Sequence, residues 1–220
     1  MKNYPIFLRV EGRWCVVIGG GAVAERKVRV LIEAGARVTV ISPAVTSGLA
    51  ALAESGRISH WPRPYCPGDL QGAFLAYAAT DDETLHATIA REAEAGGVLL
   101  NVVDRPQWCT FIVPATVTRG DLTIAVSTGG GSPALARRMR QDLEGALGPE
   151  YERALVVLAR LRQHLQGRNL SMPERRRILT GLVESELLDC LRAPDSEAVD
   201  RLLACHAGAD VSLEALGVSF

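Results

Sequence analysis

The chain lacks the spacings by which cysteine and histidine usually mark a metal site or a disulfide framework. Its five cysteines, Cys15, Cys66, Cys109, Cys190 and Cys205, are an odd number, widely separated and without a C-x-x-C pair. That excludes a stapled scaffold and a zinc knuckle, and the thiols are expected to be buried. His60, His86, His164 and His206 form no H-x-x-x-H pair, so each reads as a packing or surface residue and no metal ligand set is assigned. No apolar run reaches the roughly 18 residues of a membrane span. A formal net charge of -1 gives no global attraction to nucleic acid or to an acidic membrane, so an anionic ligand must meet a local basic patch. There is no internal repeat and no low-complexity tract. The opening Met1-Lys2-Asn3-Tyr4-Pro5 reads as the lead into a strand rather than as a signal peptide, which makes the cytoplasm the expected compartment.

What is present is a 220-residue chain, 48% hydrophobic and 22% charged, able to bury a sizeable core. Its most informative stretch is Trp14-Cys-Val-Val-Ile-Gly-Gly-Gly-Ala-Val-Ala-Glu-Arg-Lys27. Gly19, Gly21 and Ala24 fill the pattern G-x-G-x-x-[G/A]. One residue permits the sharp turn, one lets backbone approach a pyrophosphate, and one is small for helix-on-strand packing. The helix start, with Ala22 and Val23, adds free N–H groups and partial positive charge. Residues 15–18 read as a doubly buried strand, 23–34 as a helix and 37–41 as a second strand, the length of one βαβ unit. After that strand come Ser42-Pro43-Ala44, with neither the acid that holds a ribose 2′-hydroxyl nor an arginine for a 2′-phosphate. NAD against NADP therefore stays open at this position, and backbone of Pro43 and Ala44 can line an adenosine pocket.

The alternation continues with a helix at 45–55, strands at 58–63 and 74–80, a helix at 82–95 capped by Thr80 or Asp81, and a strand at 98–103. That is an α/β, doubly wound parallel sheet of Rossmann type, with ligands at the carboxyl ends of its strands. Residues 19–23, 42–44, 80–82 and 101–105 face that rim, Thr80 and Asn101 among them. Beyond Pro106 the pattern changes. Residues 110–118 and 122–127 read as strands joined at Arg119-Gly120-Asp121, a hairpin that needs a partner to be stable and suits a dimer element. Helices are expected at 132–147, 150–165, 173–192 and 196–207, with breaks at Gly148-Pro149, 167–172 and Ala193-Pro194.

Asp104 ends the fifth strand, where a carboxylate can take or relay a proton; the plainer reading is a solvated loop acid or a cap for the next turn. Ser127-Thr-Gly-Gly-Gly-Ser-Pro133 is a second glycine-rich strand-to-helix turn, either an anion cradle or a simple connection capped by Ser132. Arg137, Arg138 and Arg140 can fork onto ligand carboxylates or lie solvated, and Arg175, Arg176 and Arg177 pose the same choice.

These motifs together resemble the precorrin-2 dehydrogenase / sirohydrochlorin ferrochelatase family, the siroheme synthase module. The resemblance rests on Tyr4-Pro-Ile-Phe-Leu8, Val17-Ile-Gly-Gly-Gly-Ala-Val-Ala-Glu-Arg-Lys27, Ala79-Thr-Asp-Asp82, Asn101-Val-Val-Asp104, Phe111-Ile-Val-Pro-Ala115 and the second glycine turn, all in family order, with Glu174-Arg-Arg-Arg177 beyond. It implies a homodimer with an NAD-binding Rossmann domain at 1–112, a dimerisation region at 113–148 and a helical region at 149–220. It implies oxidation of precorrin-2 to sirohydrochlorin with NAD, and in many members insertion of Fe2+, with no room in 220 residues for the methyltransferase that makes the substrate. Asp104 is the implied catalytic residue, and Gly19, Gly21, Ala22, Val23, Pro43, Ala44 and Thr80 the cofactor contacts. Asn101, Arg105, Ser127, Thr128, Gly129 and Arg137 are the expected substrate contacts; some members carry Ser where this chain has Thr128, which keeps the hydroxyl. Two competing readings are a chelatase without redox chemistry and a non-catalytic NAD-binding module. Metal insertion with and without Asp104, and NAD binding without tetrapyrrole turnover, separate them.

Overall fold

The computed structural model describes residues 3–193 and 195–220, so Met1 and Lys2 of the expected opening and Pro194 of the expected break lie outside the described residues. Two compact units divide the chain, residues 3–113 and residues 114–220.

The first unit holds β1 (Trp14–Ile18), α1 (Ala22–Glu33), β2 (Arg37–Ile41), α2 (Ser47–Glu54), β3 (Ser59–Trp61), β4 (Leu75–Ala78), α3 (Glu83–Gly96) and β5 (Leu99–Val102). The strands form one parallel sheet in the order β3-β2-β1-β4-β5. Alternation along each strand sorts the core into two layers. Cys15, Val17, Val38, Val40, Leu75 and Tyr77 pack with Ala24, Val28 and Leu31 of α1 and Leu49 of α2. On the other face, Val16, Ile18, Ile41, Ala76, Ala78, Leu100 and Val102 pack with Ile89 and Ala93 of α3. Burial on both faces is why these strands read as continuous apolar runs.

Several boundaries differ from the sequence reading. Residues 4–8 form no strand; Tyr4 is 88% and Phe7 74% exposed, and both edges of β1 are already taken by β2 and β4. α3 is capped by Asp82, whose carboxylate receives Thr84 N and Leu85 N at 3.0 and 3.2 Å, rather than by Thr80 or Asp81. The Thr80 hydroxyl is turned onto Asp82 N, which sets that cap. The expected strand at 110–118 begins only at Ala115. Before it, Thr110 Oγ1 and Cys109 Sγ accept the edge N–H groups of β5 at Leu100 and Val102, so side chains blunt the open sheet edge. Cys15 is buried, and burial pushes its thiol up to about 11. Cys66 and Cys205 are exposed, contrary to expectation: Cys66 lies in a polar loop closed on Asp69, and Cys205 faces away from the Leu203 and Ala207 side of its helix.

The second unit begins with the antiparallel hairpin β6 (Ala115–Arg119) and β7 (Leu122–Val126), closed by Gly120 at φ 53. A Cβ at Gly120 would stand 2.7 Å from Glu152 Cγ, so a larger residue at the tip must displace that side chain as well as adopt positive φ. α4 (Pro133–Ala146) follows, and Arg119 donates to the carbonyls of Glu144 and Leu147, placing a cation at that helix's negative end. α5 (Glu150–Gln166), α6 (Met172–Val183), α7 (Leu187–Arg192) and α8 (Ser196–Ala207) bury Leu161, Leu165, Leu182, Leu187, Leu191 and Leu203 in one core. The single helix expected at 173–192 is two helices. Both Ser185 N and Ser185 Oγ bond the Leu182 carbonyl, which ends α6 while the apolar period runs on. Glu174 of the Glu-Arg-Arg-Arg motif completes a capping box with Ser171. Among the described residues no helix is long and apolar enough to cross a membrane.

Candidate functional site

The strand order reverses at β1, because the chain runs outward to β2 and β3 and then returns to place β4 on the other side. In open α/β sheets the crevice at such a switch point is where ligands bind. The turn from β1 into α1 is built for that place. Gly19, at φ 116, continues the ladder by donating to Ile41 O at 2.9 Å, and a Cβ there would lie 2.2 Å from Ala79 O. At Gly20 a Cβ would lie 1.9 Å from Ala44 O. Gly21 differs from both: it is the N-cap of α1, makes no side-chain cap, and has open space where a Cβ would be. The first-turn N–H groups of a helix have no intrahelical partner, so Gly21 leaves Ala22 and Val23 N–H available to an anion. Ala24 is fully buried against the sheet. A pyrophosphate fits this cradle, which a side chain at Gly21 would fill.

The neighbouring wall is held firmly. Gly20 O receives Thr46 N at 3.0 Å, Ser42 Oγ donates to Ala44 O at 2.7 Å, and Ser42 O meets His60 Nε2 at 2.9 Å. Pro43 and Ala44 are exposed beside this network. On the β4 side, Ala79 N donates to Ile18 O, and Thr80 O accepts from His86 Nε2 at 2.9 Å. A carbonyl only accepts, so His86 carries its proton on Nε2. His86 is 4% exposed, and its Nδ1 has no partner among the described residues.

Asp104 lies two residues beyond β5 at φ 58, the only non-glycine residue with positive φ among those described. Arg105 N closes the turn onto Val102 O. Aspartate tolerates the left-handed region at a cost of about 1 kcal/mol, and such conformations gather at functional sites. Its carboxylate is exposed and caps nothing: Arg105 is the N-cap of the following single 3-10 turn, without a side-chain cap. Arg105 is paired with Glu83. Asn101 Nδ2 donates to Phe111 O at 3.0 Å and to Cys109 Sγ at 3.6 Å, which makes it a tether for the segment after β5.

Gly19, Gly21, Ala22, Val23, Pro43, Ala44, Thr80, Asn101, Asp104 and Arg105 therefore lie along one rim of the first unit. Ser127, Thr128, Gly129 and Arg137 belong to the second. There Ser127 Oγ accepts Gly129 N, and Thr128 Oγ1 both accepts Ser132 N and donates to Ser132 O at 3.1 Å, so the hydroxyls shape their own turn. Arg137 is exposed and has no ion pair among the described residues, whereas Arg138 pairs with Asp142 and Arg140 with Glu144. Sequence reasoning placed Gly20 at the rim only as one of residues 19–23 and assigned Glu25 and Thr46 no part there. The triple glycine signalled the turn, while the bond between Glu25 and Thr46 left no local trace.

Residues 6–115 match the family described as NAD(P)-binding, and residues 119–146 the family "Sirohaem biosynthesis protein central". A siroheme synthase of Methylobacillus flagellatus is 43% identical over 178 residues, 81% of this chain and 38% of that protein. A siroheme synthase of Stutzerimonas stutzeri is 38% identical over 217 residues, 99% of this chain and 46% of that protein. The chain thus spans less than half the length of these curated relatives. Among solved structures, SirC, a precorrin-2 dehydrogenase, superposes with a TM-score of 0.77 at 25% identity, covering 91% of this chain and 98% of that one.

Proposed function

The chain belongs to the siroheme synthase N-terminal module family, and from that premise we propose that it oxidises precorrin-2 to sirohydrochlorin with NAD+. The observation that carries this reading is the order of loops along the sheet rim. Ser42 to Ala44 follow β2, Gly19 to Val23 follow β1, Thr80 follows β4 and Asp104 follows β5. Read from β2 to β5, they are an adenosine wall, a pyrophosphate cradle, a ribose carbonyl and an acid. Two strand spacings, about 10 Å, separate the cradle from the acid, matching the reach of a nicotinamide riboside from its pyrophosphate.

NAD+, when bound, accepts a hydride from the tetrapyrrole. The chain's own residues do the rest. Ala22 and Val23 N–H groups hold the diphosphate charge, and Gly21 keeps the cradle open. The Asp104 carboxylate, without a hydrogen bond among the described residues, takes the proton that leaves the macrocycle as the hydride departs. The macrocycle's acidic side chains need cations, and within the second unit Arg137 is exposed and has no ion pair among the described residues. Insertion of Fe2+ into the product is a second step of the same proposal. Among the described residues no three His, Cys, Asp or Glu side chains gather, so the pyrrole nitrogens would bind the metal with Asp104 assisting.

A homodimer belongs to the same proposal. α4 buries none of its residues, and Leu135 and Met139, one turn apart, are 52% and 44% exposed. M139E should shift a dimer to monomer in light scattering; an unchanged mass would remove α4 from the interface.

The reading is tested by Asp104→Asn. Asn is equally at home at positive φ, so the fold and NAD+ affinity should hold while turnover falls about a hundredfold or more. Unchanged turnover would take Asp104 out of the mechanism. The same variant, assayed for Fe2+ uptake by sirohydrochlorin, decides whether that carboxylate also serves the metal step.

A further inference from the structure

The end of β2 leaves the choice between NAD and NADP open, since Ser42-Pro43-Ala44 offers neither an acid nor an arginine. The surroundings of that loop close it. At 100° per residue, with Ala24, Val28 and Leu31 facing the sheet, Glu25 and Arg29 of α1 point toward the β2 and α2 side, while Lys27 points toward β4, over the Tyr77 ring. Glu25 Oε1 receives Arg29 Nη2 at 2.6 Å and Nε at 3.0 Å, and Glu25 Oε2 receives Thr46 Oγ1 at 2.5 Å. Thr46 stands two residues beyond Ala44, and its N–H is bound to Gly20 O, so this carboxylate is joined to the adenosine wall.

An ordinary i,i+4 pair on a helix surface contributes little to stability and needs no partner from elsewhere. This one has such a partner, and room made for it. Thr46 comes from another loop, and Gly48 at the start of α2 lacks a side chain where a Cβ would lie 2.2 Å from Glu25 Oε1. The Thr46 hydrogen bond, then those of Arg29, hold the Glu25 carboxyl below its ordinary range, so it is charged at neutral pH. The guanidinium that follows β3, Arg63, is likewise occupied: both its Nη atoms meet Asp69 at 2.7 Å, and it stacks on Trp61, whose carbonyl receives Ser42 N.

We propose that Glu25 sets the dinucleotide preference for NAD by occupying Arg29 and by presenting negative charge at the wall formed by residues 43–46. A 2′-phosphate there meets an anion, with the guanidiniums of Arg29 and Arg63 already engaged, whereas a neutral 2′-hydroxyl meets no penalty. This rests on the reading that residues 19–24 bind a dinucleotide, and the test separates the two.

The full chain is titrated with NAD+ and with NADP+ in separate calorimetric experiments, at low and at moderate salt. Wild type should bind NAD+ more tightly. E25Q, in which Gln still accepts from Thr46, should bind NADP+ about tenfold or more tighter, because a like charge is removed and a guanidinium fork is released. NAD+ affinity should change less than about twofold, and the NADP+ gain should shrink with salt. E25Q/R29M should lose that gain, and R29M alone, with Glu25 left charged, should weaken NADP+ further. Equal NADP+ affinity in wild type and E25Q overturns the role of Glu25 while NAD+ binding upholds the site. If wild type binds neither dinucleotide, the site reading falls and this inference with it.

Discussion

Two glycine-rich turns, at 18–22 and 127–133, each join a strand to a helix, and the comparison between them separates two reasons for a glycine. In the first, neighbours demand it. The backbone carbonyls of Ala79 and Ala44, from the loops after β4 and β2, fill the space that Cβ atoms at Gly19 and Gly20 would need. In the second, conformation demands it. Gly129 and Gly130 sit at φ 62 and 86, with open space around Gly130, and the hydroxyls of Ser127 and Thr128 satisfy their own turn. In the turn wedged between three strand ends, Gly21 is the glycine with open space beside it, and the proposed occupant of that space is a pyrophosphate. The second turn closes on itself, with the N–H groups of Gly129, Gly131 and Ser132 all bonded to Ser127 or Thr128.

Substitutions should break this comparison in a graded order. The largest effect is expected for Gly21→Asp, which puts a carboxylate into the open cradle: NAD+ binding should vanish in calorimetry while the melting temperature holds, because no atom of the chain stands there. Retained binding would place the dinucleotide elsewhere. Gly20→Ala should come next, displacing the Ala44 carbonyl or the turn at a cost of about 1–3 kcal/mol, seen as roughly tenfold to hundredfold weaker NAD+ binding and a lowered melting temperature. Gly130→Ala should cost about 1 kcal/mol of stability through positive φ, without changing NAD+ affinity. The smallest effect is expected at Gly131, where a Cβ would lie 3.2 Å from Thr128 O and φ is ordinary; its alanine variant should melt within a few degrees of wild type. If Gly130→Ala weakened NAD+ as much as Gly20→Ala, the two turns would not be distinct in kind.

What could be read from the sequence follows the range of the interaction that decides it. The strands of the sheet were legible because burial on both faces writes itself as a continuous apolar run, and the order of strands, helices and glycines located the rim. Asp104 was legible as the acid closing β5, and its left-handed conformation was not. Gly20 looked like a spare glycine because the atom that excludes its side chain, Ala44 O, belongs to another loop. The bond between Thr46 and Glu25 spans 21 residues and leaves no periodic trace. The interruption between α6 and α7 was hidden for the opposite reason: Leu182 and Leu187 keep an apolar pattern going while one Ser185 side chain ends the helix. Asn101 reads as a polar group at a rim, but its amide is committed to Phe111 O, a partner fixed only once the chain after β5 folds back along the edge.

The most direct test of the central claim is anaerobic mixing of the protein with precorrin-2 and NAD+, following NADH and sirohydrochlorin together. Wild type should give the two products in equal amounts, Gly21→Asp none, and Asp104→Asn slow formation with NAD+ affinity intact. Wild type that forms neither product, or a Gly21→Asp variant that turns over like wild type, would contradict it.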